Sequence, residues 1–262
     1  MINFNRVFAM VYRYGIIMRH NLDRITDLFY WPAMDLFIWG LTGLYFAGTN
    51  KGNPHFIDVI LIGLIFWIVV WRAQYEINVN LLSELWDKNI VNIFVSPLTV
   101  GEWITSFVLY GAIKTLISLS FSAFLAFLLY KFNVFHFGFA ILPFVASLLL
   151  TGWAIGFFIA AFLIRYGEKI QTMAWTGVYL ISPFSAVFYP QSILPEWAQK
   201  VSLFIPSSYV FEGLREMIFT GRFSYDKLII SFLLNIVYLI LAIWFFVYMF
   251  NKSKKLGLSR LI

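Results

Sequence analysis

Six stretches of the chain stay apolar for about as long as a helix needs to cross roughly 30 Å of hydrocarbon. They cover residues 28–48, 57–77, 104–130, 137–164, 170–189 and 228–250. Turn-forming and charged residues separate them: Gly48 to Pro54, Asn78 to Gly101, Lys131 to His136, Arg165 to Lys169, and Pro190 to Asp226. The pattern predicts an all-α integral membrane protein with six transmembrane helices. Ahead of the first span, Phe4, Phe8, Val11, Gly15, Met18, Leu22 and Ile25 recur at helical spacing. Arg6, Arg13, His20 and Arg24 fall largely between them. Residues 4–27 therefore read as a basic amphipathic helix lying in the membrane interface, the alternative being a flexible tail.

Two connectors carry structure of their own. Residues 79–95 predict an amphipathic helix. Leu81, Leu82, Leu85, Trp86, Ile90, Ile93 and Phe94 make one face; Ser83, Glu84, Asp87, Lys88 and Asn92 make the other. Ser96-Pro97 stops it, because proline disfavours helical conformation in the residue before it. Its exposed face suits either a membrane surface or a partner protein. The second connector, 190–226, predicts two short helices. Pro195 opens the first and Pro206 ends it. Ser207 and Ser208 offer caps for the second, whose apolar face is Val210, Phe211, Leu214, Met217 and Ile218, with Gly221 at its end. Both are too short to span, so they read as re-entrant or interfacial elements.

Composition agrees: 61% of residues are hydrophobic, 12% charged and 21% aromatic, against about 25% charged in a soluble domain. Mean hydropathy is +0.81. The 262 residues leave no room for a sizeable soluble domain beside six spans. The net charge of +6 is spread along the chain, which fits the positive-inside rule and argues against nucleic acid. Arg6, Arg13, Arg19, Arg24, Lys88, Arg165, Lys169, Lys252, Lys254, Lys255 and Arg260 share one side; the short loops of the other hold only Lys51 and Lys131. Both termini are thereby expected in the cytoplasm. No cleavable leader is evident in the first 27 residues, where four arginines interrupt any apolar core.

Much chemistry is excluded. With no cysteine there is no disulfide, thiolate metal site or thiol nucleophile. His20, His55 and His136 are dispersed, so a histidine metal site is not expected. No phosphate-binding loop of the form G-x-x-x-x-G-K-[ST] occurs, and no G-x-S-x-G elbow. Gly152-x-x-x-Gly156, followed by Ala160, predicts close packing of another helix. Four charges fall inside apolar segments: Asp35, Arg72, Glu76 and Lys114. Each costs about 2.5–3.5 kcal/mol at mid-bilayer. Counted from the span ends they reach similar depth, so a mutually neutralising cluster joining spans one, two and three is expected. The alternative is that Arg72 and Lys114 snorkel to the headgroups.

The order of these elements resembles the ABC-2 family of transporter permeases, which includes O-antigen, teichoic acid and drug exporters. Two stretches carry the resemblance: ELWDKNIVNIFVSP at 84–97, similar to the family's coupling region, and FYPQSILPEW at 188–197 followed by IPSSYVFEGLR at 205–215, similar to its outer re-entrant helices. The resemblance covers nearly the whole chain. It implies one transmembrane domain: interfacial helix 1–27, spans one and two 28–77, coupling region 78–101, spans three to five 102–189, outer helices 190–226, and span six with a cytoplasmic tail 227–262. It further implies an export permease of the bacterial inner membrane, paired with a second, identical permease and driven by two ATPase subunits that bind ATP and magnesium. No cofactor is expected on this chain itself.

The resemblance also assigns candidate residues. Glu84, Leu85, Trp86, Asp87, Lys88 and Pro97 would meet the ATPase, with Glu84, Asp87 and Lys88 as the exposed charges. Trp39, Phe66, Trp67, Trp71, Trp175 and Tyr179 would line a pathway for an amphipathic or sugar-bearing substrate, lipid contact or packing being the alternative for each. Pro190, Pro195, Pro206, Glu212 and Arg215 would shape the outer helices. A gradient-driven secondary transporter would need acid–base relays and often an internal repeat, and no repeat is seen. A membrane-embedded enzyme or a non-transporting scaffold remains the other class.

Overall fold

The computed structural model describes residues 2–49 and 56–256, and every regular element among them is helical. The loop bearing Lys51, Gly52, Pro54 and His55 lies outside the described residues, as does the tail bearing Arg260. Four long helices form the body: α3 (Phe56–Trp86), α5 (Val100–Tyr130), α6 (Ile141–Tyr166) and α10 (Tyr225–Lys255). These four, α6 together with its flanking turns, are long and apolar enough to cross a membrane. The helix α2 (Leu22–Thr49) is similar in length at 28 residues, but Asp23, Arg24 and Asp27 charge its first turns and Pro32 and Asp35 interrupt its apolar stretch. Large apolar side chains such as Phe37, Ile38, Leu233, Val237, Ile240 and Trp244 are exposed on α2 and α10. That outward apolar surface is what a lipid solvent requires of a helical bundle.

Helix α6 is central, with α3 on one side and α10 on the other. The small-residue pattern explains the first contact. A Cβ on Gly152 would lie 2.6 Å from the Ala73 Cβ and 2.6 Å from the Val70 carbonyl oxygen, so only glycine admits α3 at this distance. The second contact is polar. Asn235 of α10 donates to the Ser147 carbonyl (2.8 Å) and accepts from the Thr151 hydroxyl (2.9 Å), while Ser231 and Ser147 share a hydrogen bond of 2.7 Å. Neutral hydrogen bonds of this kind are the usual polar glue between membrane helices. Two apolar cores result. One gathers Leu61, Phe66, Phe144, Phe211 and Leu214; the other gathers Leu81, Trp103, Phe157, Phe246 and Phe250 around Tyr14.

Three expected elements differ. The surface helix ends early: α1 is Phe4–Arg19, with His20 as its cap. The side chain of Asn21 accepts from the Arg24 amide (3.3 Å) and starts α2, so residues 22–27 belong to that helix. The amphipathic helix over 79–95 is two pieces. Residues 79–86 complete α3; Lys88, at φ 53°, turns the chain; and α4 is only Ile90–Val95. Finally, 170–189 is not one continuous α-helix. A single turn, α7 (Met173–Thr176), is followed by 3-10 turns over Gly177–Leu180 and Ser182–Phe184. Pro183 supplies no backbone donor, and Ala186 takes a left-handed φ of 54°. Both oppose a regular helix there.

The two short helices are α8 (Glu196–Ser202) and α9 (Pro206–Thr220). Pro195 precedes α8 as its cap residue. Pro206 does not so much end α8 as open α9, where its fixed φ suits the first turn. Ser207 and Ser208 therefore sit inside α9 and cap nothing. Both are buried, Ser207 bonding the Ser185 hydroxyl (2.9 Å) and Ser208 the Ser202 carbonyl (2.7 Å). The expected apolar face is buried through Val210, Phe211, Leu214 and Met217, and Gly221 ends α9 at φ 70°.

Candidate functional site

The intramembrane charges do meet, with one exchange of partner. Lys114 of α5 is 2.6 Å from Glu76 of α3, and Arg72 lies 3.4 Å from the same carboxylate. The second acid is Asp27, whose carboxylate is 2.7 Å from Arg72 and whose carbonyl accepts from its other amino group at 2.8 Å. Arg72 and Glu76 are at most 1% exposed and Lys114 4%. The rings of Trp71 and Tyr75 pack on the guanidinium, their centres 4.9 and 5.4 Å away. A planar, weakly hydrated guanidinium tolerates such stacking better than an ammonium does. Asp35, expected in the cluster, joins no ion pair among the described residues. The reason is local: the apolar run begins at residue 28, but α2 begins at Leu22, so Asp27 is already helical and faces α3.

A second set of charges joins α1 to the tips of α3 and α5. Arg13 grips Glu84 with both amino groups, at 2.6 and 3.0 Å, and Asn89 donates to the same carboxylate at 2.8 Å. Glu84 is 1% exposed, so it is not an exposed charge available to a partner. Leu85 is likewise buried. Trp86, Asp87, Lys88 and Pro97 remain at the surface. Arg6 donates to the Pro97 carbonyl and lies 3.7 Å from Glu102. Glu102 completes a capping box with Thr99 at the start of α5 and accepts from the Asn3 amide at 2.9 Å. Between these clamps Tyr14 is 1% exposed, accepting from the Trp103 indole at 3.1 Å. Helix α1 thus straps the turn after α3 to the first turn of α5. Arg6, Arg13 and Glu102 were not singled out from sequence. The i, i+7 spacing of the two arginines placed both on the polar side of α1, but nothing local shows what they face.

At the far end Glu212 and Arg215 pair at 2.8 Å. Arg215 also donates to the Ala186 carbonyl (2.8 Å), and Glu212 accepts from the Gln191 amide (2.6 Å). Together they anchor the irregular segment and Pro190 onto α9. Desolvation lowers the Arg215 pKa, and the adjacent carboxylate partly offsets this.

The expected pathway aromatics differ in burial and in the rings they meet. Phe66 is fully buried in the core with Trp67 packed on Phe211. Trp71 stacks on Tyr75, Trp39 on Phe188, and Trp175 on Trp86, their ring centres 4.8, 6.3 and 6.3 Å apart. Trp39 and Tyr179 are half exposed.

Against known proteins, the family model for the ABC-2 type transporter matches residues 14–219. The chain belongs to the ABC-2 type transporter family. No curated protein sequence matches it. The ABC-2 membrane protein is a transport permease that crosses the membrane several times, and members generally work with an ABC ATPase. The match starts inside α1 and ends in α9, so it takes in the ion cluster, the turn after α3 and the short helices α8 and α9.

Proposed function

We propose that this chain is the membrane subunit of an ATP-driven exporter, forming the pathway for a hydrophobic, amphipathic or lipid-linked substrate. It works as a pair of identical permeases with two separate ATPase subunits, in the bacterial inner membrane. In this reading the chain crosses six times with both termini in the cytoplasm. Helix α2 is the first crossing, the irregular 170–189 segment the fifth, and α1 lies in the interface with Phe4, Phe8 and Tyr12 in lipid.

The observation that carries it is the strapped turn. A force applied at Trp86–Lys88 reaches α3 directly, and through Arg13, Tyr14 and Arg6 it reaches α5. A mechanical input needs such a stiff junction, because binding at one site can only bias packed arrangements that already exist. Asp87 and Lys88 are the exposed charges that meet the ATPase, and Glu84 is the brace behind them. Purification of the permease with its ABC ATPase is the test, with Asp87→Lys and Lys88→Glu combined as the comparison. The wild-type complex stays together and the charge-reversed one loses ATPase association or transport-linked hydrolysis. Transport that runs on an ion gradient with no ATPase attached overturns the reading.

A further inference from the structure

Beside the ion cluster lies a cavity of about 730 Å³, between the first turns of α2 and the last turns of α3. That is within the range of about 300–1,000 Å³ typical of small-molecule sites. Its floor is the paired layer of Asp27, Glu76 and Lys114; its mouth holds Asp23, Arg24 and Asp87. Five rings line the wall: Tyr30, Trp31, Tyr75, Trp86 and Trp175. The last two stack across the mouth at 6.3 Å, joining the end of α3 to α7.

The charges in this cavity are not balanced by type. Lys114 is spent on Glu76 and, behind the wall, Arg72 on Asp27 and Glu76. Arg24 donates to the Ser83 hydroxyl at 2.6 Å. Asp23 and Asp87 are exposed at the mouth and join no ion pair among the described residues. The lining carries four carboxylates (Asp23, Asp27, Glu76 and Asp87) against two cations (Arg24 and Lys114), and such an excess around a ring-lined recess attracts a cation twice over. They do so by Coulomb attraction at the mouth and by the negative faces of the rings inside.

We infer that this cavity binds an amphipathic organic cation, its charged centre against the rings and its apolar part toward α2. The inference rests on the transport reading in taking that ligand as the cargo. A phosphate-bearing headgroup fits less well, because Arg24 shares the mouth with Asp23 and Asp87 and the cations at the floor are already paired.

Two ions of matched shape and opposite charge make the test. Tetraphenylphosphonium and tetraphenylborate are titrated onto the purified full-length permease, followed by quenching of Trp fluorescence and by equilibrium dialysis. The phosphonium is expected to bind saturably and at least about tenfold tighter than the borate. Asp23→Asn with Asp87→Asn should weaken the phosphonium by about three- to tenfold. Both side chains are exposed, so folding is retained. Trp86→Leu should weaken it as well and reduce the quenching. Equal binding of the two ions, tighter binding of the borate, or displacement of the phosphonium by maltose overturns the proposal, as does an unchanged affinity in the Asp23/Asp87 variant. Because binding is read without ATPase or nucleotide, its failure is separate from failure of the ATP-driven reading, which the copurification decides.

Discussion

Two regions of the bundle are held together by different chemistry. At the α1 end, charges do the joining: Asp27 with Arg72, Glu76 with Lys114, Arg13 with Glu84, Arg6 with Glu102. Midway along α6 and α10 the joints are neutral: Ser147, Thr151, Ser231 and Asn235, with Ser231 also donating to the Pro206 carbonyl at 2.8 Å. The contrast follows from what each joint costs to break. Where both ions are buried, as at Arg72, Glu76 and Lys114, an ion that loses its partner is left uncompensated, at about 3–5 kcal/mol. A neutral hydrogen bond between membrane helices averages about 0.6 kcal/mol. Charged joints therefore fix partners and register strictly, which suits the end we propose receives force. Neutral joints let α6, α9 and α10 adjust at little cost.

The sharpest way to break this comparison is Glu76→Ala. It leaves Lys114 and Arg72 facing each other while buried, and should destabilise the protein by about 3–5 kcal/mol. Thermal unfolding in detergent measures it, and adding Lys114→Met should restore part of the loss. If Glu76→Ala is as mild as a neutral substitution, the charged joint does not behave differently. Next in size is Gly152→Val, which forces α3 off α6 at about 1–3 kcal/mol; the same measurement reads it. Asn235→Ala should cost less, about 0.6–1.7 kcal/mol, by removing the neutral links to Ser147 and Thr151. The order Glu76, then Gly152, then Asn235 is the comparison in numerical form.

Arg13→Ala distinguishes position from stability. The Arg13 side chain is about one third exposed, so the loss in unfolding temperature should be small. Glu84 keeps Asn89, but the turn at Trp86–Lys88 is no longer tied to α1. Stimulation of the ATPase by the permease should fall by several-fold more than the stability change accounts for. Restoration by Arg13→Lys in part, one amino group replacing two, would confirm that the tie matters.

The smallest expected effect is a pH dependence at the α9 end. Lys227 and the Ser224 hydroxyl hold the Glu216 carboxyl below the usual carboxylate range. Its contribution is therefore complete above that range and fades as the pH falls through it toward the depressed value. Glu216→Gln should flatten that acid limb slightly and leave neutral-pH stability little changed, because the pair is well exposed to solvent.

Several of these features were legible along the chain. The Gly152–Gly156 pattern announced a close helix contact, and α3 fills it. The need to neutralise Arg72, Glu76 and Lys114 was legible too, since isolated charges at that depth are costly and helical counting gives depth. Which acid joins them was not, because Asp27 and Asp35 are eight residues apart on one helix and choosing between them requires knowing where α2 begins and how it leans on α3. Glu84 shows the same limit. Local periodicity put it on a polar face, and only the arrival of α1 turned that face inward.

By itself, then, the sequence determined the solvent, the helical class, the order of elements and the demand for charge pairing. Those depend on composition and on near-neighbour periodicity, which the chain carries locally. The tertiary structure alone decided which acid answers Arg72, that Glu84 is braced by Arg13, and that 170–189 breaks into short turns. The first two depend on a partner distant in sequence, Asp27 by 45 positions and Arg13 by 71. Packing, unlike periodicity, is not written in neighbouring residues.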